Sequence, residues 1–158
     1  MHDLAKPKMS IEELAARVGG EPFVSRWFVV DQARIDAFAE ITEDRQFIHV
    51  DPQAARATPF GGPIAYGFLT LSMLSAMGMD ALPEISGVEM GVNYGFDKLR
   101  FLSPVPAGAR VRGSFRLTGA ALRSKREWLI NVDVTVEIEG APKPALAAQW
   151  LTMRVMRE

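Results

Sequence analysis

IAYGFLTLSMLSAMGM, the sixteen residues from Ile64 to Met79, carries no charged side chain and sets apolar groups on every face of a projected helix. A helix on a protein surface shows one apolar stripe, whereas a helix that is apolar all round is enclosed. The stretch is too short for a membrane span and is interrupted by Gly67, Thr70, Ser72, Ser75 and Gly78. It therefore predicts a central helix wrapped by the rest of the fold. Just before it, FGGP from Phe60 to Pro63 reads as a loop that permits close backbone approach and launches the helix. Before that comes the most polar segment of the chain, TEDRQFIHVD from Thr42 to Asp51. A polar cluster delivered to the start of a buried helix is where chemistry is to be sought.

Upstream, Ser10 and Glu13 have capping-box spacing, and the helix they open should stop at Gly19-Gly20. Residues 1–9 read as a loose tail. Ser25 to Val30 is β-branched and aromatic and reads as a short strand. Asp31 is placed to cap a helix bearing Ile35, Phe38 and Ala39, which gives out near Thr42. Asp51-Pro52 opens a further helical turn through Ala57.

Downstream of Pro83 the period changes to two. Alternation shows at the end of Val88 to Phe101, then at Ala109, Val111, Phe115 and Leu117. It is clearest at Trp128, Ile130, Val132, Val134, Val136 and Ile138, and a last strand runs from Leu146 to Met156. Long period-two runs with one wet face indicate an antiparallel sheet. The fold class is α+β, a curled sheet around a helix, in a single domain over residues 1–158.

Composition sets bounds. With 158 residues, 48% hydrophobic and 23% charged, the chain suits one domain with a substantial core. A net charge of −1 gives no global electrostatic case for nucleic acid or an anionic membrane. Zero cysteines exclude a disulfide framework, a thiolate metal site and a cysteine nucleophile. MHDLAKPKMS at the start lacks an apolar signal core, so a cytoplasmic protein is expected.

His49 is the one imidazole outside the predicted tail, five residues after Asp44. That spacing does not share a helical face, but a loop could aim both side chains at one water as an acid–base pair. On these residues alone the simpler account is that Asp44 caps a turn and His49 holds a loop. The backbone N–H groups near Gly67 lack intrahelical acceptors and carry the positive end of the helix dipole, so they could stabilise a developing oxyanion. Gly67 could equally serve close helix–sheet packing. Six basic residues lie between Arg110 and Arg126 with no acid among them. Strand alternation puts Arg110, Arg112 and Arg116 on the wet face, which accounts for them more simply than phosphate binding does.

The run from Phe38 to Leu74, FAEITEDRQFIHVDPQAARATPFGGPIAYGFLTLSML, resembles the MaoC-like (R)-specific enoyl-CoA hydratases, and in particular the branch named after the nodulation protein NodN. The pattern is matched at Phe38, Ala39, Thr42, Glu43, Asp44, Gln46, Ile48, His49, Asp51, Phe60, Gly61, Ile64, Ala65 and Gly67. Asn93 to Arg112 resembles the same branch. The resemblance implies the hot-dog fold, a curved antiparallel sheet around a long helix, and a homodimer with acyl-CoA (or an acyl carrier protein thioester) near the interface. It implies that Asp44 and His49 are the catalytic pair and that Gly67 supplies an oxyanion-hole N–H. Ser75, Tyr66 and Gly62 are the candidate substrate-binding positions. Ser75 could also bond the carbonyl four residues back. Glu43 stands where the family often has Gly, and Tyr66 where it usually has His. The activity implied is reversible hydration of a trans-2-enoyl thioester, needing neither a metal nor a redox cofactor. Two other functions fit a hot-dog chain: an acyl-CoA thioesterase, against which the paired His49 argues, and a non-catalytic acyl-binding module.

Overall fold

The computed structural model describes residues 6–158. The tail reading divides there: residues 1–5 lie outside the described residues, while Lys8–Met9 (β1) pair in parallel with Glu84–Ile85 (β4), so this part is not loose. The capping box forms as read. The Ser10 hydroxyl accepts from the Glu13 N–H at 3.0 Å, and the Glu13 carboxylate accepts from the Ser10 N–H at 2.6 Å, opening α1 (Ile11–Ala15). The chain then leaves by way of Gly19, whose φ of 78° is in the left-handed region.

The segment expected as one strand, Ser25 to Val30, is two short ones: β2 (Phe23–Val24) and β3 (Phe28–Val30). Both pair with β6 (Ala109–Leu122), and between them the Ser25 hydroxyl accepts from the Gly113 N–H at 2.9 Å. After α2 (Gln32–Thr42), α3 (Phe47–Val50) and α4 (Pro52–Arg56) comes the central helix, in two parts, α5 (Gly67–Ser72) and α6 (Leu74–Ala81). The chain closes with β5 (Val88–Phe101), β6, β7 (Glu127–Ile138) and β8 (Leu146–Met156). The sheet runs β2-β6-β7-β8-β5, antiparallel throughout, with β3 also on β6. This is the hot-dog arrangement.

Packing follows the alternation. Val111, Phe115 and Leu117 of β6, Ile130 to Ile138 at even positions of β7, and Leu146, Ala148 and Trp150 of β8 are buried against Leu69, Met73, Leu74 and Met77 of the helix. The outward residues of β6 pair across the strands as the wet-face reading requires: Arg110 with Glu139 at 2.8 Å and Arg112 with Glu137 at 2.7 Å. No described helix is long and apolar enough to cross a membrane.

The central helix differs from its reading in two ways. It begins at Gly67 and not after Pro63, because the intervening backbone is committed to a neighbouring loop. The Ala65 N–H donates to the Val105 carbonyl at 2.8 Å, and the Pro63 carbonyl accepts from Ala107 at 2.9 Å. Nor is it enclosed all round within one chain: Phe68, Ser72, Ser75 and Met79 form an exposed stripe. On the opposite face Gly113 of β6 lets helix and sheet approach. A Cβ there would lie 2.6 Å from the Phe115 ring and 3.1 Å from Met77 Cβ. Gly113→Ala is expected to cost about 1–3 kcal/mol by overpacking, read from urea unfolding; an unchanged midpoint would mean that this contact is slack.

Candidate active site

Successive helical turns bring the polar segment round. Asp31 caps α2 by accepting from the Arg34 N–H at 2.9 Å, and α2 ends at Glu43, whose φ of 60° is left-handed. Glycine adopts that conformation without strain and other residues at some cost, a physical reason for the Gly that the resembled pattern prefers there. Asp44 next makes a tight turn, its carboxylate accepting from the Gln46 N–H at 3.1 Å, and α3 follows with His49 on its inner side. Asp51 then caps α4, accepting from Gln53 and Ala54 N–H at 3.0 and 2.9 Å.

His49 is buried, 7% exposed, and its orientation is fixed. Nδ1 lies 2.6 Å from the carbonyl oxygen of Ile64. A carbonyl can only accept, so Nδ1 carries the hydrogen in the neutral ring and Nε2 is left with its lone pair. Tyr66 lies flat against the imidazole, centroids 3.8 Å apart at 27°, and packs on Phe38 at 5.1 Å. The Tyr66 hydroxyl donates to the backbone carbonyl of Asp44. Burial first, then the negative charges of Asp44 and Asp36, hold the Tyr66 phenol above its ordinary pKa, so it stays a donor. One side chain thus touches the His49 ring, anchors the Asp44 peptide and, as the residue before Gly67, begins the helix.

A cavity of about 390 Å³ opens beside this group, lined by His49, Phe60, Ile64, Gly67, Phe68, Thr70, Phe101 and Val105 among others. It is mainly apolar, with the imidazole, the helix start, Thr70 and Ser103 as its polar features. No side chain caps α5, so the first-turn N–H groups keep their donor capacity. Gly67 also serves packing: a Cβ there would fall 2.9 Å from the Phe101 ring.

The candidate residues are not all gathered here. His49 and Gly67 share the cavity wall. Asp44 is exposed and does not line it; its peptide is tied to the site through Tyr66. Tyr66 is buried, stacked against the His49 ring, and is not among the residues that line the cavity. Gly62 lies outside the lining residues, with open space where its Cβ would be. Ser75 lines a different cavity, further along the helix with Asn93 and Arg154. Phe68 and Phe101 also line the cavity, and no sequence motif marks an apolar residue as a cavity wall. No group of three or more His, Cys, Asp and Glu side chains suited to a metal ion occurs among the described residues.

Residues 13–141 match the family described as MaoC like domain. The chain belongs to this MaoC-like dehydratase family. It is 49% identical over 154 residues to nodulation protein N of Rhizobium leguminosarum bv. viciae, covering 97% of this chain and 92% of that protein. It is 41% identical over 146 residues to 3-hydroxyacyl-thioester dehydratase Z of Mycobacterium tuberculosis, covering 92% and 96%. The solved (R)-hydratase from A. caviae superposes with a TM-score of 0.64 at 26% identity, over 82% of this MaoC-like chain and 94% of that one. The hot-dog architecture inferred from the sequence is thereby established.

The tautomer can be measured directly. ¹⁵N NMR of the neutral imidazole of His49 should show a protonated Nδ1 and an unprotonated Nε2; the reverse would overturn the orientation derived from Ile64.

Proposed function

We propose that this MaoC-like chain catalyses reversible hydration of a trans-2-enoyl thioester to the (R)-3-hydroxyacyl thioester. The observation that carries this reading is an imidazole with Nδ1 held by a carbonyl and Nε2 free, on the wall of an apolar cavity that also holds an uncapped helix start. Names among the relatives, a 3-hydroxyacyl-thioester dehydratase and an (R)-hydratase, support the reaction class and the (R) outcome.

In this mechanism water attacks C3 and gives a proton to His49 Nε2. Charge moves to the thioester oxygen, where the N–H groups at Gly67 receive it. Asp44 is exposed and outside the cavity wall, so its carboxylate turns in to orient the water; the proton on His49 then passes to C2 and restores the neutral ring. Net, OH adds to C3 and H to C2, with no oxidant and no metal in the sequence of steps. The thioester carrier is coenzyme A or acyl carrier protein, and the chain works in the cytoplasm. The active form is a homodimer joined along β5. That strand is the free edge of the sheet and exposes Met90, Val92, Tyr94 and Phe96, next to the exposed helix residues Phe68 and Met79. An open apolar edge of this length requires cover.

The test is incubation with crotonyl-CoA, following loss of the conjugated enoyl absorbance, with chiral analysis of the product and a parallel assay for free thiol. His49→Gln should lower kcat by about 10²–10⁴-fold, the usual worth of a general base, and Asp44→Asn by a similar factor. Thiol release without hydration would replace this reading by thioester hydrolysis. Tight CoA-ester binding with no product would replace it by a non-catalytic acyl-binding role. Tyr66→Phe keeps the ring stack and removes the anchor on Asp44. It should lower kcat about tenfold with KM unchanged; a wild-type rate would show that the anchor is dispensable.

A further inference from the structure

At the other end of the helix lies a half-open cavity of about 270 Å³, lined mainly by Leu14, Leu82, Ile85, Leu117, Val132 and Trp150, with Arg154 in its wall. It adjoins the larger groove, about 600 Å³, that holds Ser75 and Asn93, and the two share Arg154, Thr152 and Trp150. Arg154 stands on the concave side of β8, opposite Gly91 of β5. A Cβ at Gly91 would lie 3.0 Å from the guanidinium, so glycine leaves the room that the head group occupies.

The guanidinium is half-buried and poorly partnered. Among the described residues its one hydrogen bond is from Nη1 to the carbonyl of its own neighbour Met153, at 3.3 Å. Among the described residues no carboxylate comes within ion-pairing distance of it. Glu84, the acid that lines both cavities, lies 3.3 Å from Lys8. Burial holds the Arg154 guanidinium below the usual arginine pKa, the mark of a poorly compensated cation. The hydroxyl-bearing Thr152 is buried beside it.

We propose that this distal cavity is a binding site for an aliphatic carboxylate, with Arg154 as its charge partner. A half-buried cation with no counter-ion among the described residues is under-compensated, and an incoming anion supplies the missing partner. A guanidinium fork matches the two oxygens of a carboxylate, and the apolar wall takes the hydrocarbon chain. Phosphate fits less well. The nearby end of α6 is a C-terminus, whose partial negative charge opposes a dianion. The carboxylate is either that of a free fatty acid or the far end of an acyl thioester; the chemistry is shared.

The site stands apart from the hydratase reading, and binding to the full chain tests it by calorimetry. Wild type should take up octanoate and not 1-octanol. Arg154→Met should lose at least tenfold in octanoate affinity, and Arg154→Lys should recover part of it. Without ligand, Arg154→Met should melt at or above wild type, since it removes an uncompensated charge. Octanol binding as tightly as octanoate, octanoate binding undiminished in Arg154→Met, inorganic phosphate competing at equal concentration, or a marked fall in melting temperature would each overturn the proposal. Should Arg154→Met not fold, the octanoate–octanol contrast and Arg154→Lys still decide it. Two further substrates separate the sources. Faster hydration of an ω-carboxylated enoyl-CoA than of the plain chain, lost in Arg154→Met, makes the ligand the acyl terminus; equal rates with octanoate still bound make it a free acid. If wild type hydrates neither, the hydratase reading fails while the octanoate result stands.

Discussion

The peptide units of Ile64 and Ala65 are where the polar segment that carries His49 is fastened to the sheet. The Ile64 N–H donates to the carbonyl of Ile48 at 3.0 Å, and its carbonyl accepts from His49. One residue on, Ala65 bonds to Val105, so the same extended stretch is pinned on its other side by the loop that leads into β6. Buried backbone groups must be paired, and here the pairing also selects a tautomer. Everything downstream depends on it: Tyr66 can lie flat on the imidazole, and Gly67 can start the helix at the cavity, only because residues 63–65 are extended.

That dependence explains what the sequence could and could not show. Strand alternation in β6, β7 and β8 reports burial directly, so those strands and their inner faces were legible. β5 was legible only at its end. Three register shifts, between Val88 and Met90, Asn93 and Gly95, and Phe96 and Lys98, break its alternation. The helix start was misread because local signals at Pro63 favoured initiation, while the deciding hydrogen bonds come from residues some forty positions away. Its exposed stripe was hidden by chemistry: Phe68 and Met79 are apolar, and an apolar residue awaiting a partner looks like one already buried.

The site was partly legible for a similar reason. His49 and Gly67 are marked by type, since one imidazole and one helix-start glycine stand out in a chain with few of either in reach. Resemblance to the family supplied the roles. The relation between Asp44 and His49 was not available from spacing, because it runs through Tyr66, whose contacts depend on where the extended stretch places it. The basic residues of β6 were read correctly from alternation, and their ion pairs with Glu137 and Glu139 show why a basic run need not imply an anionic ligand. Arg154 is the converse: it sits in no basic run, and only its surroundings make it notable.

The Phe101 ring resting on Gly67 ties two properties of the cavity together. The same ring forms part of the cavity wall, so its position sets both the bore of the channel and the clearance over the helix amides. Widening the bore by moving that ring would uncover the amides to water, and any side chain at position 67 would push the ring into the bore. A change in the cavity's width that leaves the helix amides covered must therefore come from walls remote from this contact.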